Sequence, residues 1–266
     1  MKTTLDRLEE IKSEGYELDF GNTFNDAFEV YKRTALMSGL ALILFFIVAF
    51  ALAFGGMGIF MSAGNDISYL ANISEGDFSI VGRIIYVLAT CVIAGLGNPF
   101  SASLIRMAAL ADKGEDVSVG DAFACYKAPY FVPLFVEALI VSFFSIFITT
   151  AIQMAFPQDF VMGLVGMGIN LLISFVTVMA VPLIIFGNLK PLEAIQGSVM
   201  LVFKRPFVIF GLLLVGIIFA LLGFIGFCIG VCFTIPIMMA IYYSIYKNSV
   251  GIEETAEMDE IGTLDY

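Results

Sequence analysis

The chain has 266 residues, 60% of them hydrophobic and 14% charged, with a formal net charge of −11. Soluble domains carry about 25% charged residues, whereas apolar runs of about 20 residues, the length that crosses a bilayer as helix, recur throughout this chain, so a soluble globular protein is excluded. The sequence contains no histidine, which excludes Ser-His-Asp catalysis and every histidine-ligated metal or haem centre.

Residues 1–20 are polar and mixed in charge, with no apolar signal region. The first span is therefore expected to act as the insertion signal, and this segment to be a cytoplasmic N-terminal piece. The stretch FNDAFEVYKR follows at 24–33. Phe24, Ala27, Phe28 and Tyr31 keep the i, i+3, i+4, i+7 spacing of one helix face. Thr23 stands three residues before Asp26, suited to an N-cap hydroxyl with an acid in the first turn, and Lys32 suits the far end. These features predict a short helix lying in the membrane interface and feeding a first span at 36–60.

A second span is expected at 84–104, with Asn98 beside Pro99. After it comes VGDAFACYKA at 119–128, which repeats Asp-Ala-Phe-x-x-Tyr-Lys as Asp121, Phe123, Tyr126 and Lys127, with Ser118 placed as the cap. A third span at 130–152 carries Glu137, and a fourth at 161–187 carries Asn170 and Pro182. The segment LKPLEAIQGSVMLVFKR is a weaker third copy, with Glu193-Ala194-Ile195 where Asp-Ala-Phe stood and no Tyr or Lys at the matching spacing. Spans at 206–222 and 226–246 fold back at the glycine-rich turn GFIG, and the sixth contains Pro236. Residues 248–266 form an acidic tail.

The fold class expected is thus an all-α polytopic bundle across 21–247. Its six spans form three parallel repeats of an interfacial helix plus a helical hairpin, and each returning span is kinked by Pro99, Pro182 or Pro236. Lys2, Arg7, Lys12, Lys32, Arg33, Arg106, Lys113, Lys127, Lys190, Lys204, Arg205 and Lys247 fall on one side of these spans and only Arg83 on the other. The positive-inside rule then places both termini in the cytoplasm of a cell with an inner or plasma membrane. The acids gather in the two tails, so the negative charge reads as solvated ends and not as a signal for nucleic acid.

The proline in VPLIIF, the acid-Ala pair of LEAIQGS, the Ser and Lys before span five, and the Pro and Tyr of IPIMMAIYYSIYKN carry a resemblance. Together with DAFEVYK they make the chain resemble a set of six-span bacterial inner-membrane proteins similar to the membrane domain fused to some glycerophosphodiester phosphodiesterases. The resemblance implies fold and location over most of residues 20–247. It implies no catalytic residues, and no phosphodiesterase domain accompanies the spans.

Glu137 is the leading candidate site. An ionisable group well below the headgroups is costly and defaults to a functional hypothesis. Counted from Lys127 it lies about 15 Å down the helix, with Arg106 as its expected partner. A buried Glu137–Arg106 pair, or a protonated carboxyl bonded to a carbonyl freed by proline, is preferred to a proton relay, because no chain of further acids follows. Asn98 and Asn170 read as interhelical hydrogen bonds. Cys228 and Cys232 share a helix face but, without histidine, make a poor metal site; no metal, cofactor or catalytic set is expected. Two functions fit. The first is a non-enzymatic protein that organises membrane lipids or partner membrane proteins, and the second is a small carrier or channel working through Glu137.

Overall fold

The computed structural model describes residues 3–62, 80–156 and 160–252. The acidic tail from residue 253 onward and the side chains of Arg83 and Cys228 lie outside the described residues. Helix α1, Thr4–Glu14, opens with a capping box in which the Thr3 N–H donates to Asp6 Oδ2 (2.9 Å) and the Asp6 N–H to Thr3 Oγ1 (3.2 Å). The N-terminal segment is more than a polar leader to the first span. Leu8 and Ile11 are buried, the Tyr16 hydroxyl donates to the Leu201 carbonyl (3.0 Å), Arg205 Nε donates to the Tyr16 carbonyl (2.8 Å), and Lys204 Nζ donates to the Lys12 carbonyl (2.9 Å).

Helix α2 runs unbroken from Phe20 to Ser62, 43 residues or about 65 Å at 1.5 Å per residue. The first DAF segment is therefore the lower part of the first span and not a separate interfacial helix. Its cap is Asp19, which accepts from the Asn22 N–H at 2.7 Å, and Thr23 lies within the first turn. The reason is local: nothing between Lys32 and Leu36 interrupts the helix, whereas Pro129 and Pro206 follow the second and third segments and cannot extend one. Helix α3, Ile80–Asp112, is followed by a 3-10 helix, Val119–Tyr126. Next come α4, Phe131–Ala155, and α5, Phe160–Val176; α6, Ala180–Ile185, and α7, Pro191–Lys204; and α8, Pro206–Leu222. A 3-10 turn at Gly223–Gly226 leads into α9, Phe227–Thr234, and α10, Pro236–Ser249.

Among the described residues six stretches are long and apolar enough to cross a membrane: Phe20–Ile59, Val87–Asp112, Phe131–Ala155, Phe160–Ile185, Pro206–Ile225 and Gly230–Ser249. The protein is an all-α integral membrane protein. The GFIG hairpin depends on Gly223 and Gly230, since a Cβ on either would run into the backbone of the other. Gly163 and Gly168 of the fourth span face open space, whereas Gly166 approaches Thr149 of the third. The prolines act unequally. The second span continues as helix through Pro99, the fourth is interrupted at 177–179, and the sixth at Ile235.

The core gathers at one end, around Leu183, Leu201, Ile209, Leu212, Tyr243 and Tyr246. The outer parts of the spans leave Ile47, Leu52, Phe54, Ile59, Phe160 and Val161 exposed, which a lipid solvent accepts. The same end holds Arg33, Lys204, Arg205 and Lys247. Asp112 Oδ2 accepts from Tyr243 Oη (2.8 Å) and Lys247 Nζ (2.5 Å), and Arg33 Nη1 donates to the Ala111 carbonyl (3.2 Å). Asn248 Nδ2 donates to Thr23 Oγ1 and Asp26 Oδ2, both at 3.2 Å. Asp26 thus ties the start of the first span to the end of the sixth.

Candidate functional site

The three acid-Ala segments perform matching tasks. Ala27, Ala122 and Ala194 are fully buried. Asp121 Oδ2 accepts from the Ser118 N–H (2.8 Å) and Glu193 Oε2 from the Lys190 N–H (3.2 Å), closing the first turns of their helices. Five residues beyond each acid stands a hydroxyl, and each one reaches a proline-marked span. Tyr31 Oη donates to the Phe233 carbonyl (3.1 Å), three residues before Pro236. Tyr126 Oη donates to the Leu96 carbonyl (2.8 Å), three residues before Pro99. Ser198 Oγ donates to the Val176 carbonyl (2.7 Å) and accepts the Met179 N–H (2.9 Å), bridging the interruption before Pro182. Backbone groups loosened by proline inside a membrane need such partners. Phe28 and Tyr31 also pack edge-on against Phe219, Phe123 lies 5.8 Å from Phe100, and Lys32 pairs with Glu29 at 2.6 Å. Lys127 is exposed and ends the 3-10 helix.

The three proline regions converge on one cavity of about 740 Å³. Gly97, Asn98, Phe100 and Ser101 of the second span line it beside Pro99. Thr177 and Val178 line it at the interruption of the fourth span, and Ile235 at that of the sixth. Phe45 and Phe46 of the first span, and Glu137, Val141, Ser142 and Ser145 of the third, complete much of the wall. Pockets for small molecules run about 300–1,000 Å³, mostly apolar with a few polar groups that fix orientation. This cavity has that size and that composition.

Glu137 is 5% exposed. It lies six residues into α4, about 9 Å along the helix, because residues 127–130 do not extend α4 back to Lys127. Its partner is Asn98 and not Arg106. Asn98 Nδ2 donates to Glu137 Oε2 and to the Leu134 carbonyl, each at 2.8 Å, so the amide fixes the carboxyl against the wall. Arg106 instead sets its guanidinium over the Tyr130 ring, 5.5 Å from the centroid, a cation–π contact. Asn170 lies deeper, where its Nδ2 donates to Thr149 Oγ1 (2.6 Å) and the Gly166 carbonyl (3.2 Å), and Ser145 donates to its Oδ1. That network joins spans three and four.

Among the described residues no group of three or more His, Cys, Asp or Glu is placed to hold a metal ion. Cys91 and Cys125 are buried thiols; burial pushes the Cys125 thiol up from its ordinary value, which suits packing more than reactivity. The cavity itself was not foreseen from the sequence. Ser142 and Thr177 each donate to a carbonyl of their own span, Ala138 and Ile173, and both line the cavity. Against family models, curated proteins and solved structures the chain gives no match.

Proposed function

We propose that this integral membrane protein is a non-enzymatic, lipid-organising protein that holds an amphiphile in the cavity between its spans. The carrying observation is the cavity of about 740 Å³, apolar over most of its wall and polar at Glu137, Asn98, Ser101, Ser142 and Thr177. An acyl or alkyl chain fits the Phe45, Phe46, Val141 and Met239 side, and a head capable of hydrogen bonding fits the polar side. The proposal extends to a bacterial inner-membrane setting, to kinship with the six-span proteins named above, and to internal duplication of the three acid-Ala units.

The test is native mass spectrometry of the full chain released from lipid. A bound amphiphile is expected, reduced severalfold when Val141→Trp fills the cavity. A chain that carries no ligand, or one whose load is indifferent to Val141→Trp, overturns the proposal.

A carrier is the second reading, supported by the interruption of two cavity-lining spans, a feature of transporters that bind substrate at broken helices. It requires the ligand to cross the bilayer in a liposome flux assay and the flux to change in Glu137→Gln.

A further inference from the structure

Resting on the amphiphile-binding reading, we infer that the cavity selects a cationic amphiphile, a long-chain primary amine whose ammonium docks on Glu137. Among the described residues the wall contains no Lys or Arg. Arg106, the nearest expected cation, is committed to Tyr130, and among the described residues Glu137 makes no ion pair. A phosphate or carboxylate head would enter without a counter-charge and face an acid.

The carboxyl is half satisfied. Asn98 engages Oε2, and Oε1 has no hydrogen-bond partner among the described residues. A buried ionised carboxylate without a cation is costly, and removing one partner of such a pair leaves an uncompensated charge. An ammonium supplies that charge and up to three donors, of which one meets Glu137 while the Ser101 and Ser142 hydroxyls share the same wall.

The chain of the ligand has room as well. Glu137 and Ser145, eight residues apart on one helix, both line the cavity, a length of about 12 Å. Other polar clusters need no ligand. Asn170 is closed by Ser145, Thr149 and Gly166, and Asp112 by Tyr243 and Lys247.

The experiment measures saturable binding of dodecylamine, dodecanol and dodecanoate to the full chain in nanodiscs of zwitterionic lipid, with empty nanodiscs subtracted. Dodecylamine is expected to bind at least about tenfold tighter than dodecanol, as a charge-assisted hydrogen bond predicts, and dodecanoate weakest. Glu137→Gln is expected to remove the preference for the amine over the alcohol. Equal affinities for the three probes overturn the inference and leave amphiphile binding standing, as does an amine preference that survives Glu137→Gln. No saturable binding of any probe overturns both. The ranking in the unmodified chain decides the matter by itself should the variant fail to fold.

Discussion

A carboxyl on one helix and an amide on its neighbour set the polar side of the cavity, and the sequence showed each of them without showing the pair. Glu137 stood out because an acid amid apolar residues has few reasons to be there. Asn98 stood out as a polar group beside a proline. Arg106 was the partner expected on charge alone, yet its guanidinium lies over the Tyr130 ring, and Asn98 donates to Glu137 instead. Which partner wins is set by the rotation of α3 against α4, and periodicity does not report that rotation.

At the basic end Tyr16 shows what a single hydroxyl contributes. It is buried between α1 and α7, donates to the Leu201 carbonyl, and burial pushes its pKa up to about 12 from 10.0, opposed by the Arg205 charge. The neutral phenol is the form the fold accepts. Its contribution is therefore complete below the unfolded value near 10 and is lost as pH rises through about 12. Titration of the tyrosine absorbance should show one hydroxyl ionising with release of α1, read as protease cleavage near Gly15. Tyr16→Phe should cost about 1 kcal/mol and abolish that late step, and cleavage that begins below pH 10 in the unmodified chain would count against it.

Among elements, the informative units are the three acid-Ala segments, of which the first opens α2 and the other two stand between spans. Their stripes and caps were legible because helix periodicity and acid placement are local properties. Their attachment was legible only in part: two are separated from the following span by proline, and the first runs on into α2 because no residue stops it. Their targets were not legible at all. Tyr31 and Phe233 are 202 positions apart, and nothing in the sequence links a hydroxyl to one proline span over another. The second and third segments each secure the span that precedes them. The first secures the sixth, so the set closes on itself as a ring. Interhelical hydrogen bonds in membranes are worth about 0.6 kcal/mol on average and up to about 1.7, and a stranded carbonyl raises the cost of losing one. Tyr31→Phe, Tyr126→Phe and Ser198→Ala should each lower stability in SDS unfolding by about 1 kcal/mol. The serine change should be largest, because Ser198 serves a carbonyl and an N–H across the interruption of the fourth span. A neutral Ser198→Ala would mean that water already satisfies those groups.

For the whole molecule, the count of spans and the clustering of charge were the most legible features, because both follow from solvent: hydrocarbon demands about 20 apolar residues per crossing, and basic residues resist translocation. The structure brings Arg33, Lys204, Arg205 and Lys247 to one end through their contacts with Ala111, Lys12, Tyr16 and Asp112. That arrangement requires an even number of crossings between the first and last of them. It also sets a direction for the cavity, whose acid lies about 9 Å from the start of α4 at the basic end, so a ligand's head would sit nearer that leaflet. The expected orientation has the basic end in the cytoplasm. In a chain cleared of its native cysteines, Ser118→Cys and Lys190→Cys should resist an impermeant maleimide in intact cells and react in inverted vesicles, while Ser62→Cys at the opposite end of α2 should do the reverse. Exposed positions make these substitutions tolerable: Ser118 and Ser62 both lie on the surface. Labelling of Ser118 and Ser62 from the same side would break the six-span topology, because α2 and α3 would then not both cross. Labelling with the two sides exchanged would keep the topology and invert the molecule, placing Glu137 nearer the outer leaflet and directing the search for its ligand there.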